Sequence, residues 1–511
     1  MKTLILFSLI FLSYQNPAQS SVYQDRQKDW RQTQIVYQVF VDRFSRSAQF
    51  SANHYPSPYV IKSWEDQPQK GHYVPEAGNW SQELEFWGGD LQGVLEKLPY
   101  LKDLGINVLY LNPIFKAYTN HKYDTIDFFQ IDPQYGGRPD LQNLCDSAHA
   151  LGMKVVLDGV FNHVSVRHPW FVDAQKNVNS PYRDYFTFAD NLPGGYLSWA
   201  NVPNLPELRL ENSVVRDHLW QSDTGVVPQY LKMVDGWRLD VAPALGPEYL
   251  SELTAAAHQK KADSIIIGEA WNYPAGWMPA VDGVINIFLR GIILKVLREQ
   301  ITPAKFNRLV QKMVEDTGIE SLFKSWTTLS NHDLPRLKNS LPDNQIRKLG
   351  VILQFTLPGS PLIYYGEELG MYGEDDPQNR GPMAWSWANK DNPELALYRQ
   401  LLKLRQDNPA LQVGDYRPIE SEQLISFLRI TDQVAASTVV LINPSNHQVQ
   451  ESITIPDYRL MHNSELKDYF TGAKIKLVEA GVITVDIPAH GVMILSPQIN
   501  TNGYTPYQRI P

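Results

Sequence analysis

The sequence predicts an α/β fold: a (β/α)8 barrel with an insertion after its third strand and a C-terminal antiparallel β-sandwich domain. Three observations predict it. Eight short apolar runs alternate with helical patterning between residues 35 and 366, which suits parallel strands joined by crossover helices, and eight such units close into a barrel. After the third run the helical period lapses over residues 164–211. From about residue 411 the pattern changes to alternating runs, LISFLRI, STVVLIN, ESITIP and GVMILSP, as antiparallel strands with one solvated face require.

The elements follow in order. MKTLILFSLIFLSYQNPAQS carries Lys2, an apolar run from Leu4 to Leu12 and the small-x-small pattern Ala18-Gln19-Ser20. This resembles a secretory signal peptide, so residues 1–20 are expected to be removed and the protein to be exported, to the periplasm or outside the cell. The run is too short to span a bilayer, and no membrane span is expected elsewhere. Barrel strands are predicted at 35–41, 106–112, 154–160, 235–241, 264–270, 282–288, 325–331 and 360–366. Between the second and third, Leu141, Leu144, Cys145, Ala148 and Leu151 recur at helical spacing and Gly152 stops the helix. Residues 43–86 after strand one and 164–211 after strand three are long loops on the C-terminal side of barrel strands, where loops carry function. The expected organisation is a catalytic barrel at 21–163 and 212–410, the insertion at 164–211, the β-sandwich at 411–498 and a loose tail at 499–511.

Composition excludes several classes. Hydrophobic residues make up 43% of the 511 and the net charge is -9 with no long basic run, so a large core is available and a nucleic-acid partner is not expected. Cys145 is the only cysteine, which rules out an intrachain disulfide despite the expected export. Most of the 13 Trp and 26 Tyr are expected in the core, with some left as flat platforms for a ligand.

Charged residues sit where strands should be apolar. Asp158 and His163 lie in LDGVFNH after strand three, Arg238 and Asp240 in GWRLDV at strand four, Glu269 in IIIGEAW at strand five, and His332 and Asp333 in SNHDLPR at strand seven. A barrel brings its C-terminal strand ends to one mouth, so these residues should form one acidic pocket with a fixed Arg. Any one of them suits a helix cap or a satisfied polar group, but four motifs at the same end of four strands call for a common cause. A carboxylate cage for a divalent ion is disfavoured by Arg238, whose guanidinium would compete with the metal. Retaining glycoside hydrolysis needs one carboxylate as nucleophile and one carboxylic acid as proton donor. Asp240 suits the first, with Arg238 expected to lower its pKa; Glu269 suits the second, with desolvation among Ile267, Ala270 and Trp271 expected to raise it. Asp333 then stabilises the cationic transition state.

DGVFNH, DGWRLDVA, GEAW and SNHDLPR resemble, in order and spacing, the signature regions of the α-amylase superfamily, glycoside hydrolase family 13. The resemblance implies nucleophile Asp240, acid/base Glu269 and stabiliser Asp333, supported by Arg238, with His163 and His332 at the attacked sugar. In NHKYDTIDFFQIDPQYGG it matches His121 and Tyr123 to a further signature whose Tyr stacks on that sugar, and in DDPQNR it matches Asp376 and Arg380 to residues that grip the next sugar toward the non-reducing end. The closest likeness is to cyclomaltodextrinases, neopullulanases and maltogenic amylases. Those carry an extra N-terminal β domain, for which a first barrel strand near Ile35 leaves no room, so dimerisation through it is not expected. VPNLPEL (202–208) departs from their usual sequence.

The expected activity is hydrolysis of α-1,4-glucosidic bonds in maltodextrins, with cyclodextrins and pullulan as further candidates and α-glucan oligosaccharide or polysaccharide as the partner. A transglycosylase, or a member acting on sucrose or trehalose, would share the machinery; a non-catalytic carbohydrate-binding homologue would be expected to have lost the carboxylates. No cofactor is expected to be required. Many relatives hold calcium between barrel and insertion: Asn162 matches one ligand, but Asn204 stands where an Asp is expected and Pro243-Ala244 replace Lys-His. An amide is a weaker calcium ligand than a carboxylate, so tight calcium is not expected there.

Overall fold

A computed structural model describes residues 21–477 and 481–499. The predicted signal segment at 1–20 and nearly all of the predicted tail at 499–511 lie outside them. Eight parallel strands close a barrel in sequential order, each hydrogen-bonded to the next and the last to the first. They are β1 (Val36–Val39), β2 (Val108–Leu111), β3 (Lys154–Gly159), β4 (Gly236–Leu239), β5 (Ile265–Ala270), β6 (Gly283–Asn286), β7 (Trp326–Thr328) and β8 (Ser360–Tyr364). Each falls within a run read from sequence, and most are shorter, because the ladder ends where the chain turns out toward the mouth.

Period two explains why charges sit in these strands. Val36, Val108, Val156, Ile265, Ile267, Ile285, Trp326 and Leu362 form one buried cluster, the packed interior of the barrel. The residue two positions further toward the mouth, on the same face of its strand, is Gln38, Tyr110, Asp158 or Glu269 after Val36, Val108, Val156 and Ile267. The inner layer is therefore apolar at depth and polar at the rim. Register sets Arg238 of β4 beside Asp158 of β3 and Ile267 of β5. Below Arg238 only glycine fits, since a Cβ on Gly236 would lie 2.3 Å from the Ile265 carbonyl oxygen.

The opposite end of β4 is pinned by charge. Buried Asp235 accepts from the Val155 N–H at 2.9 Å and meets His149 at 2.7 Å, Lys261 at 2.8 Å and Lys154 at 3.1 Å. Burial opposes ionisation, but these hydrogen bonds outweigh it and hold the carboxyl well below its ordinary range. The helix read between strands two and three spans Arg138–Ala150 and buries Leu141, Leu144, Cys145 and Ala148.

Three features were not legible beforehand. A helix at Val22–Lys28, capped by Ser21, ties the chain start to the far end of the barrel domain: Arg26 reaches Glu320 at 2.6 Å and Asp415 at 2.8 Å. The 43–86 loop contains short ladders, Val60–Ile61 with Glu85–Phe86 and Tyr73–Val74 with Asn79–Trp80. The 164–211 insertion contains a helix at Pro169–Lys176, whose two buried residues, Phe171 and Ala174, are too few to announce a period. Beyond the barrel, a six-stranded sheet and the two-stranded pair Val449–Thr454 with Val482–Ile487 share one apolar core that includes Leu428, Leu441, Ile453 and Val485. No helix among the described residues is long and apolar enough to cross a membrane.

Candidate active site

At the barrel mouth a pocket of about 470 Å³ is lined by Tyr123, His163, Asp240, Glu269, His332 and Asp333, among others. The catalytic carboxyls predicted from three separate motifs thus meet in one cavity. His121, Asp376 and Arg380 line it too, and Arg238 and Asp158 lie buried at its floor.

Arg238 organises the floor. Its Nη1 donates to Asp158 Oδ1 at 2.7 Å and to Asp240 Oδ1 at 2.9 Å, while Nη2 lies 2.9 Å from Glu269 Oε2, an ion-pair contact without hydrogen-bond alignment. One guanidinium therefore bridges three carboxylates on three consecutive strands. Asp158 is held from its other side by the Tyr110 hydroxyl at 2.6 Å and the Tyr123 hydroxyl at 2.8 Å. Burial keeps both phenols protonated, so they remain donors.

Arg238 pulls the Asp240 pKa down as expected, but the expected net result, a lowered pKa, is corrected. Burial, reinforced by Glu269, Asp158 and Asp333, pushes Asp240 well above the ordinary carboxylate range against the pull of Arg238. One cation shared among several buried carboxyls cannot offset desolvation and mutual repulsion together. The cluster titrates as a coupled set.

Glu269 is gripped on both oxygens: Oε2 accepts the Val241 N–H at 3.0 Å and Oε1 the Trp271 indole N–H at 3.1 Å. Val241, directly after Asp240, takes a left-handed conformation with φ 41°, a strained state for a β-branched residue. That strain aims its N–H at Glu269. Asp240 and Asp333 lie beyond the ends of their strands, β4 closing at Leu239 and β7 at Thr328; Asp240 is still held by Arg238 of β4 and by its N–H on the Gly159 carbonyl of β3 at 3.1 Å, whereas Asp333 is oriented by loop contacts.

For Asp333 those contacts are cationic. His332 Nε2 lies 2.9 Å from Oδ2 and Arg380 Nη2 donates to Oδ1 at 3.2 Å. Burial alone would raise this carboxyl, but His332, Arg380 and Arg238 outweigh it and hold it below the ordinary range. Gln38 Nε2 lies 2.9 Å from His332 Nδ1, while His332 Nε2 faces Asp333 and, at 2.6 Å, the Tyr123 hydroxyl. Tyr123 and His332 stack at 5.3 Å between centroids. Arg380 also pairs with Asp376 at 3.1 Å, so it links Asp376 to the third carboxylate as well as lining the wall.

His163 is fully buried and burial lowers its pKa to about 3, so it is neutral at ordinary pH. Among the described residues its Nε2 has no hydrogen-bond partner, which leaves it able to meet a ligand hydroxyl. His121 accepts the Tyr123 N–H at 3.1 Å and lies 3.7 Å from Glu83. Between them Lys122, left-handed at φ 65°, drives its ammonium inward to Asp132 at 2.7 Å and to Gln134, pegging the loop that presents both rings.

Sequence reading missed the rest of the lining. Glu83 comes from the loop after β1, Trp199, Val202 and Leu205 from the insertion, and Val241 and Trp271 from positions beside the catalytic motifs. Gln38 and Tyr110 carried a usable signal, since each is polar or amphipathic two residues beyond an inward-facing Val. The insertion residues carried none, being placed by irregular backbone.

The residues matched to a calcium site do not fit the ion. Asn162 Nδ2 faces His163 Nδ1 at 3.4 Å, and Asn204 turns its amide N–H onto the Gly78 carbonyl. Nearby, Arg167 donates to the Ala77 carbonyl at 2.5 Å and lies 3.8 Å over the Tyr118 ring. The Arg167 guanidinium and two amide donors stand at this junction, with the Glu207 carboxyl against Asn162 as its one carboxylate neighbour; calcium would need more converging oxygens. Among the described residues no group of three or more His, Cys, Asp or Glu could hold a metal.

Comparison with known proteins agrees with this geometry. Residues 38–393 match the α-amylase catalytic-domain family. A cyclomaltodextrinase from a Bacillus species is 34% identical over 442 residues, spanning 82% of this chain and 75% of its own. Neopullulanase 2 of Thermoactinomyces vulgaris is 33% identical, spanning 82% and 71%. Among solved structures, a debranching enzyme of Nostoc punctiforme superposes with a TM-score of 0.78 at 28% identity, covering 92% of this chain and 99% of its own.

Proposed function

The chain belongs to the α-amylase family of glycoside hydrolases, and from that premise we propose that it cleaves α-1,4-glucosidic bonds in maltodextrins, cyclodextrins and pullulan with retention of anomeric configuration. In this reading Asp240 attacks the anomeric carbon and forms a glycosyl-Asp intermediate while Glu269 protonates the leaving oxygen. Water activated by Glu269 then releases the sugar. Asp333, with His332 and Arg380 behind it, stabilises the positive charge that develops on the attacked ring. Tyr123 and His163 contact that ring, and Asp376 with Arg380 hold the next sugar.

The observation that carries the proposal is Arg238 touching both Asp240 and Glu269 at 2.9 Å. A single guanidinium can bridge two carboxyls only when they are close, and retaining enzymes use a spacing of about 5 Å where inverting ones need more. The names of the relatives support the choice of substrates.

We also propose that the N-terminal segment directs export and that activity needs no calcium, the Arg167 and Asn204 contacts taking over the junction. The test is a product profile on maltoheptaose, β-cyclodextrin and pullulan, with and without a chelator. Oligosaccharides first released as α-anomers, unaffected by chelation, are expected. Products first released as β-anomers, or cleavage confined to sucrose, would overturn the reading.

A further inference from the structure

The loop after β1 delivers one carboxylate to the catalytic pocket, Glu83, which lines its wall together with His121. Three hydrogen bonds lace this loop to the one that carries His121. The Asn120 N–H donates to the Glu83 carbonyl at 2.8 Å, and the Asn120 side-chain amide donates to the Gln82 and Glu85 carbonyls at 2.7 and 2.8 Å. The lacing holds the Glu83 and His121 side chains at a set separation.

Each of these side chains has one end fixed and the other presented. Glu83 Oε2 accepts the Trp80 N–H at 2.8 Å and the Asn79 amide at 3.1 Å, while Oε1 faces His121 Nε2 at 3.7 Å. His121 Nδ1 accepts the Tyr123 N–H at 3.1 Å; a backbone N–H can only donate, so the ring's proton sits on Nε2. A donor and an acceptor thus face each other at a distance too long for a direct hydrogen bond. An oxygen set about 2.8 Å from each would complete both. It must accept from Nε2–H and donate to a carboxylate, which a hydroxyl can do, whereas an ammonium cannot accept and a carboxylate cannot donate. Burial opposes ionisation of Glu83, but His121, Asn79 and Trp80 outweigh it and hold the carboxyl below its ordinary range, so it remains an acceptor. His121 stacks on Tyr123 at 5.9 Å between centroids, which sets the gap beside the sugar ring that Tyr123 contacts.

We propose that Glu83 is a specificity-determining residue, which with His121 clasps one hydroxyl of the attacked glucose: Nε2–H donates to it and Oε1 accepts from it. The proposal rests on the α-glucan reading above and deepens it. Within an α-1,4 chain the 1- and 4-oxygens of that glucose are used by the bonds, and the 2-hydroxyl adjoins the reacting carbon at Asp240. The 3- and 6-hydroxyls remain, and the clasp takes one of them.

The test follows p-nitrophenol release from p-nitrophenyl α-maltotrioside and from two analogues whose glucose next to the aryl group lacks the 3- or the 6-hydroxyl. Glu83→Ala should lower kcat/KM on the parent by about ten- to a hundredfold, the range for a hydrogen bond to a charged group. On one analogue the same substitution should cost less than about twofold, because the hydroxyl that Glu83 accepts from is already gone. On the other the loss should match the parent's. Glu83→Gln keeps an acceptor oxygen without the charge and should fall between Glu83→Ala and wild type on the parent. A loop merely loosened by losing its Trp80 and Asn79 contacts would cost the same factor on all three substrates; that result, or no loss on the parent, would overturn the clasp and leave the glucan reading intact. A wild type that leaves both the parent and maltoheptaose uncleaved would overturn the glucan reading and the clasp with it. If Glu83→Ala melts early, the same comparison with Glu83→Gln decides.

Discussion

Replacing Arg238 with Met should move the acid limb of the pH profile upward and slow the enzyme at the wild-type optimum. Arg238 lies 2.9 Å from an oxygen of Asp240 and 2.9 Å from one of Glu269, so the charge centres are about 4 Å apart; at an effective dielectric near 20 such a pair is worth about 4 kcal/mol. That corresponds to about 3 pH units in carboxyl pKa, reduced because the cation is shared with Asp158, 2.7 Å from the same nitrogen. Asp240 already lies above its ordinary range, and losing its cation moves it further in the same direction. The nucleophile is then protonated at pH values where the wild type works, so the acid limb of kcat/KM should move up by about 2 pH units and activity at the wild-type optimum should fall about a hundredfold. Arg238→Lys keeps a charge but cannot fork between three carboxylates, and should lie between the two. The assay is kcat/KM for p-nitrophenyl α-maltotrioside across both limbs, with circular dichroism melts to confirm folding. A loss of the same factor at every pH would refute the electrostatic role and leave Arg238 as packing.

Two further outcomes follow from the contacts. Glu368 is buried without a cation against either oxygen, accepting both the Tyr37 and Tyr100 hydroxyls at 2.8 Å on Oε1, and burial raises its pKa from 4.5 to about 7. A raised carboxyl costs stability as pH climbs through that window, to about 3 kcal/mol above it, so Glu368→Gln should resist urea better than wild type at about pH 8 and match it near pH 4.5; equal curves at both would refute the assignment. Arg380→Ala should depress kcat/KM on p-nitrophenyl α-glucoside as well as on maltoheptaose, because Arg380 holds Asp333 as well as Asp376; a loss confined to the longer substrate would mean that only the Asp376 side matters.

How much of this was legible in sequence depends on what fixes each residue. The eight strands could be read because barrel strands are buried on both faces and so form continuous apolar runs, and the charges of Asp158, Arg238 and Glu269 stood out against them. Period two could have carried Gln38 and Tyr110 to the same rim, but they were not read. What closes the pocket had no period to betray it. Glu83 is fixed by the Trp80 N–H at 2.8 Å and the Asn79 side-chain amide at 3.1 Å, and Trp199 and Leu205 by backbone bonds within the insertion, such as Trp199 N–H to the Leu205 carbonyl at 3.0 Å. The pKa of Asp240 failed for another reason. One adjacent Arg is visible in GWRLDV, but the number of carboxylates sharing it depends on β3 and β5, and only register supplies that count. Arg380 likewise looked like a sugar ligand alone until its contact with Asp333 gave it a second partner.

The central claim is that Asp240 is the nucleophile and Glu269 the acid. It is tested most directly by trapping the intermediate. Glu269→Gln can still be attacked on a substrate whose leaving group needs no protonation, yet lacks the base that would release the product, so a glycosyl-enzyme should accumulate. Incubation with α-maltotriosyl fluoride, rapid denaturation, digestion and mass spectrometry should find the maltotriosyl mass on the peptide carrying Asp240, and Asp240→Asn in the same background should abolish it. An adduct on Asp158 or Asp333, or fluoride release without any adduct in the Glu269→Gln variant, would contradict the account.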